Sequence, residues 1–203
     1  MRRWLVCVIA GASLFTAAGC GGLNDYLEIP RDRGVSGEYR TALGRWSRAQ
    51  IVYSQFETMA HIRATYRSPE FNRAYLQEYA RIYDLSEDER KKREETQTAA
   101  TGDFAEFMFY AYIPEKSSND FDRRGSIWTI FLIDASGARV DPVEVKRIEP
   151  VTAVTTEFFP YINPYHGNAY RLRFPPLTKP GQAPLKLVFT SVIAKVELEF
   201  GEP

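Results

Sequence analysis

From Gly102 onward the chain is written in twos. Phe104 to Ile113 and Ile127 to Ile133 are apolar on both alternating sets of positions, which predicts strands lying centrally in a sheet. Val143 to Lys146, Tyr170 to Phe174, Leu185 to Phe189 and Lys195 to Phe200 alternate apolar with polar, as strands with one dry and one wet face do. Asp134-Ala135-Ser136-Gly137 and Pro180-Gly181 carry the residues of tight turns between them. Ahead of these, Ala49, Ile51 and Tyr53 alternate, as do Ile62, Ala64 and Tyr66, while Phe56 and Met59 break the register. Two strands or one bulged strand compete there with a helix, and the β-branched and aromatic content favours strand.

Between these groups the period changes. Ser68-Pro69-Glu70 starts a helix: a hydroxyl to accept a free N–H, a proline where no donor is needed, and an acid at the positive end of the dipole. Phe71, Tyr75, Tyr79 and Ile82 then form an apolar stripe at helical spacing. Ser86 and Glu89 have the spacing of a capping box for a second helix. Its body pairs Glu87 with Lys91, Asp88 with Lys92 and Glu89 with Arg93, the pattern of a solvated helix. The expectation is a mainly β chain: an antiparallel β-sandwich of immunoglobulin-like architecture, with a helical hairpin at about 68–101 inserted between early strands. Residues 38–203 form a single domain in this reading. Without a Cys…Trp…Cys spacing, any likeness to immunoglobulin domains is one of architecture alone.

The first nineteen residues follow another logic. Arg2 and Arg3 precede an apolar run from Trp4 to Phe15, about twelve residues against the ~20 of a membrane-spanning helix, so residues 1–19 are expected to be a cleaved signal. The junction Thr16-Ala17-Ala18-Gly19-Cys20 resembles the lipobox of bacterial lipoproteins. The resemblance implies that the Cys20 thiol receives a diacylglyceryl group, that the signal is cut before Cys20, and that the new amino terminus is acylated. More than one acyl chain holds a protein stably on a membrane. In that family, Gly21 in place of an aspartate implies delivery to the outer membrane. Residues 20–37, with no helical or strand period, are expected to be a tether. The run from Trp46 through Tyr83, with Phe56-Glu57-Thr58 and Ala64 to Phe71, resembles uncharacterised bacterial lipoproteins, a likeness that carries no activity.

Composition narrows the function classes. The 203 residues are 44% hydrophobic and 14% aromatic, enough for a substantial core. Loss of Arg2 and Arg3 with the signal leaves 24 basic against 26 acidic residues, a balance that gives no reason to expect nucleic acid. Of the two cysteines, Cys7 departs with the signal and Cys20 is committed to lipid, so packing must hold the domain without a disulfide. His61 and His166 stand far apart, with no carboxylate at metal-ligand spacing. Asn119 to Gly125 faintly resembles a calcium loop, but starting from Asp120 it would need Arg124 and Phe131 as ligands. No nucleophile elbow or phosphate-cradling glycine loop occurs.

Tyr161 to Asn168 gathers aromatic, amide and imidazole groups in one turn-rich stretch. Tyr161, Tyr165 and His166 are therefore candidate binding residues for a glycan or lipid. The competing reading has the turns merely connecting strands while Phe158, Phe159 and Tyr161 plug the end of the sandwich. The expectation is a non-enzymatic envelope lipoprotein without cofactor or metal. It would be anchored by lipidated Cys20 in the outer membrane, facing the periplasm or the surface, and would bind a protein partner or assist assembly. A glycan- or lipid-binding module using residues 158–168 is the alternative, and a cell-wall hydrolase the more distant one.

Overall fold

The computed structural model describes residues 34–134, 136–177 and 184–201. The signal, Cys20, most of the tether and the Pro180-Gly181 turn lie outside the described residues. Val35–Pro203 clusters as one compact unit, so the folded part begins slightly before residue 38. Among the described residues it is a mixed structure of four helices and nine strands in two antiparallel sheets. No helix among them is long and apolar enough to cross a membrane.

Helix α1 (Gly37–Trp46) is capped by Ser36, whose hydroxyl accepts the Tyr39 N–H. Tyr39, Leu43 and Trp46 form its buried stripe. Strands β1 (Ser47–Ser54) and β2 (Glu57–Tyr66) then make a hairpin with a register shift at Val52/Tyr53. Of the readings open for this stretch, two strands is the observed one. Phe56 breaks the alternation because it sits in the turn, after Gln55 at φ 56°.

Helix α2 (Pro69–Tyr83) starts where Ser68, Pro69 and Glu70 place it, with the Ser68 hydroxyl accepting the Phe71 N–H. It ends on Asp84 in the left-handed region. Helix α3 (Glu87–Asp103) has the complete capping box of Ser86 and Glu89, and it lies largely in solvent. Strands β3 (Ala105–Tyr112), β4 (Thr129–Ile133), β5 (Arg139–Val140) and β6 (Glu144–Arg147) follow. After them come helix α4 (Ala153–Phe158) and strands β7 (Asn168–Phe174), β8 (Leu185–Thr190) and β9 (Lys195–Phe200).

One sheet has the order β1-β2-β3-β7-β6 and the other β5-β4-β8-β9. Strand β3 is central, as its two apolar sets require. Strand β4 is less enclosed than its sequence suggests, because one neighbour is the two-residue β5. Its alternate positions are wet, and Arg139 lies over the Phe131 ring at 4.3 Å. Rings from the two sheets meet: Phe109 with Phe189 at 5.0 Å between centroids, and Phe107 with Phe200 at 5.3 Å. Where β1 and β9 approach, the Glu197 N–H donates to Gln50 Oε1 at 2.8 Å, and the sheets stay unclosed.

Helices α1 and α2 and the end of α4 share a second aromatic cluster. Tyr75 lies 4.6 Å from Phe158, Tyr39 lies 5.3 Å from Phe158, and Phe159 lies 6.1 Å from Phe71. The Tyr39 hydroxyl donates to the Phe158 carbonyl at 2.9 Å. Glu78 ties α1 to α2: its carboxylate accepts the Ser36 N–H at 2.6 Å and the Ser36 hydroxyl at 2.8 Å, and it pairs with Arg81 at 2.7 Å. Burial alone would raise the Glu78 pKa, but the bonds from Arg81 and Ser36 outweigh it and hold the carboxyl below its usual range.

Glu78→Gln is therefore expected to destabilise the domain by about 1–3 kcal/mol in urea unfolding at neutral pH. A depressed folded pKa means that this stability is present above the unfolded carboxyl pKa of about 4.3 and is lost as pH falls toward the folded value. The gap between wild type and variant should close as the titration is taken below that pH.

Candidate functional site: a basic groove at the loop end

The strand registers bring several connections to one end of the unit. Strands β3 and β8 run the same way, Phe107 lying level with Phe200 and Phe109 with Phe189, while Phe200 opposes Leu185. The β3–β4 connection, the stretch before β7 and the β8–β9 turn therefore emerge together. The β1–β2 turn joins them, because His61 opposes Tyr112 near the top of β3.

The floor of this end is a hydrogen-bonded knot. Buried Asn119 donates from its amide to the Ala111 carbonyl at 2.8 Å. The Tyr170 hydroxyl lies 2.8 Å from the Asn119 carbonyl and 2.9 Å from its Oδ1. Arg147 donates to the Asn119 carbonyl at 3.0 Å and is flanked by Asp122 at 3.5 Å and Glu149 at 3.4 Å. Its Nε is buried without a hydrogen-bond partner among the described residues. The β3–β4 connection is held by Phe121 stacked on Trp128 at 4.8 Å and by the Trp128 indole donating to the Ser118 carbonyl at 2.7 Å.

The carboxylates of the faint calcium loop have other partners. Asp120 accepts from Ser126 and Asp122 faces Arg147. Among the described residues no group of three or more potential ligands is placed to hold a metal ion.

Above the knot lies a groove of about 250 Å³, lined by Lys116, Asn119, Arg123, Arg147, Tyr165 and His166 among others. Tyr165 stands 88% exposed, its N–H bonded to Asn163 Oδ1 at 3.0 Å. Gly167 has no room for a side chain: an added Cβ would collide with the Ala111 carbonyl oxygen and lie 2.6 Å from the Tyr110 ring. That close approach seats the loop on β3.

The three candidate residues from the sequence are divided. Tyr165 and His166 line the groove. Tyr161 lies elsewhere: its hydroxyl is 2.8 Å from Thr65 Oγ1, which is 2.7 Å from Ser47 Oγ, and the Arg63 guanidinium lies 4.8 Å over its ring. Burial pushes the Tyr161 hydroxyl well above the ordinary phenol range. Phe158 and Phe159 are buried as expected of plugs, although they pack against the helices. Lys116 and Arg147 have no local motif to announce them, whereas Asn119 and Arg123 fall in the polar stretch with the faint calcium-loop spacing.

A larger crevice of about 410 Å³ lies between α2, α3 and the ends of β3 and β7. Its polar groups serve one another: Arg67 donates to Asn72 Oδ1 at 2.8 Å, and Gln97 donates to the Asn72 carbonyl at 2.9 Å. These bonds make it a joint between elements. No family model, curated protein or solved structure matches this chain.

Gly167→Ala is expected to cost on the order of 3 kcal/mol. It should also shift the NMR resonances of Tyr165 and His166 more than those of β8 and β9. A variant of wild-type stability with an unchanged spectrum would contradict the close seating of this loop.

Proposed function

We propose that this chain is a lipid-anchored, non-enzymatic envelope module whose loop end binds a protein partner. The supporting fold reading is an immunoglobulin-like β-sandwich with α2 and α3 as a helical hairpin inserted between early strands. Taking β2 as the first strand of that pattern, β2-β3-β7-β6 corresponds to A-B-E-D, and β5-β4-β8-β9 to C′-C-F-G. Strand β1 is then an addition at the edge. In this correspondence Phe109 and Phe189 occupy strands B and F, where antibody domains carry their inter-sheet disulfide, and Trp128 precedes strand C.

The observation that carries a protein partner is the apolar dressing of the loop end. Phe56 is fully exposed in the β1–β2 turn, with Tyr53 beside it, and Val192 is almost fully exposed in the β8–β9 turn. Large apolar side chains presented together on turns are what a partner surface buries. The anchor rests on Cys20 and the lipobox resemblance, and the Gly21 that follows it favours the outer membrane.

Cys20→Ala should release the protein from the membrane fraction and abolish acyl labelling; unchanged fractionation would overturn the anchor. With the anchor intact, chemical crosslinking in envelopes followed by pull-down should recover a reproducible partner. Phe56→Asp together with Val192→Asp should reduce that recovery severalfold. Recovery that is unaffected by the pair would remove the loop end from the interface.

A further inference from the structure

The groove holds cations with different duties. Arg147 is spoken for by Asp122, Glu149 and Asn119, and it supports the floor. Lys116 and Arg123 line the same groove, and neither side chain has an ion pair or hydrogen bond among the described residues. No carboxylate is among the described lining residues. The free charge among the described lining residues is therefore positive and exposed, where an anion can reach it without displacing a protein acid.

Beside that charge, Tyr165 offers an exposed ring whose backbone is fixed by Asn163. His166 also lines the groove, adding a group able to exchange hydrogen bonds with hydroxyls, while the Asn168 amide nitrogen is engaged in the floor, donating to the Asn119 carbonyl and the Tyr170 hydroxyl at 3.3 Å each. At about 250 Å³ the groove falls below the ~300–1,000 Å³ typical of pockets for drug-sized ligands, so it suits one ring rather than a chain. An aromatic face, an imidazole and unpaired cations around a space for one ring match a charged sugar better than an acidic peptide, which needs no ring platform.

We propose that the groove binds a single acidic saccharide unit, its carboxylate or phosphate held by Lys116 and Arg123 and its ring laid on Tyr165. This site is independent of the protein-partner reading, since it is tested on the isolated chain by titration and the partner by crosslinking. Full-length protein in detergent would be titrated with glucuronate, glucose 6-phosphate, glucose, inorganic phosphate and a short glutamate peptide, followed by calorimetry and by the ring resonances of Tyr165 and His166.

The two acidic sugars should bind measurably tighter than the other three probes. Lys116→Glu with Arg123→Glu should weaken them about tenfold. Tyr165→Ala should weaken them about fivefold while leaving phosphate unchanged. All three positions are exposed, and retained unfolding midpoints would confirm that the variants fold. Glucose binding as well as glucuronate, phosphate alone binding as tightly as glucose 6-phosphate (an anion site only), or the glutamate peptide binding tightest would each overturn the proposal. So would the absence of binding by both acidic sugars.

Discussion

The contact between Phe109 on β3 and Phe189 on β8, at 5.0 Å between ring centroids, is the interaction on which the arrangement of the two sheets depends. The sequence holds two cysteines, Cys7 and Cys20, so no disulfide can join these strands. A buried aromatic ring removes roughly 150–250 Å² from water. At about 25 cal/mol per Å² that is at most ~4–6 kcal/mol per ring, before the entropy of ordering it. A disulfide typically supplies about 2–4 kcal/mol. A layer of rings can therefore replace a covalent tie, and Phe107, Phe200 and Tyr66 extend the layer away from Phe109. Phe121 links it to the loop end, at 5.3 Å from Phe109 and 4.8 Å from Trp128.

That linkage gives the groove a rigid frame. Tyr170 stacks on Phe109 at 4.8 Å while its hydroxyl reaches Asn119, so the core ring layer and the polar knot share a residue. The helices have a different effect. By packing Tyr39, Tyr75 and Phe158 into one cluster they draw the 158–162 stretch toward themselves, and Tyr161 is fixed against Thr65. The chain emerges again at Asn163, leaving Tyr165 and His166 to the loop end.

Much of this was legible because local physics agrees with the fold. Strands β6 to β9 follow the alternation of their side chains and β3 and β4 their apolar runs, whereas the two-residue β5 has no run to mark it; α2 and α3 start on the hydroxyl caps that Ser68 and Ser86 provide. Helix α1 has a weak signature in the sequence because Gly37 and Gly44 dilute it and its stripe of Tyr39, Leu43 and Trp46 is only three residues long. Helix α4 hides in β-branched residues, Val154, Thr155 and Thr156, and is sustained by the Thr152 cap and by burial of Phe158. The groove was half legible. Tyr165 and His166 sit in a sequence-local turn, whereas Lys116 and Arg123 lie in the β3–β4 connection and Arg147 closes β6, and only strand pairing brings these segments together.

A double-mutant cycle on Phe109→Leu and Phe189→Leu tests the ring layer most directly, with urea unfolding as the readout. A coupling of about 0.5–1.5 kcal/mol between the two changes is expected, together with a shift of the Trp128 fluorescence environment in each single variant. Additive effects with an unperturbed Trp128 signal would contradict the claim that this contact joins the sheets and frames the loop end.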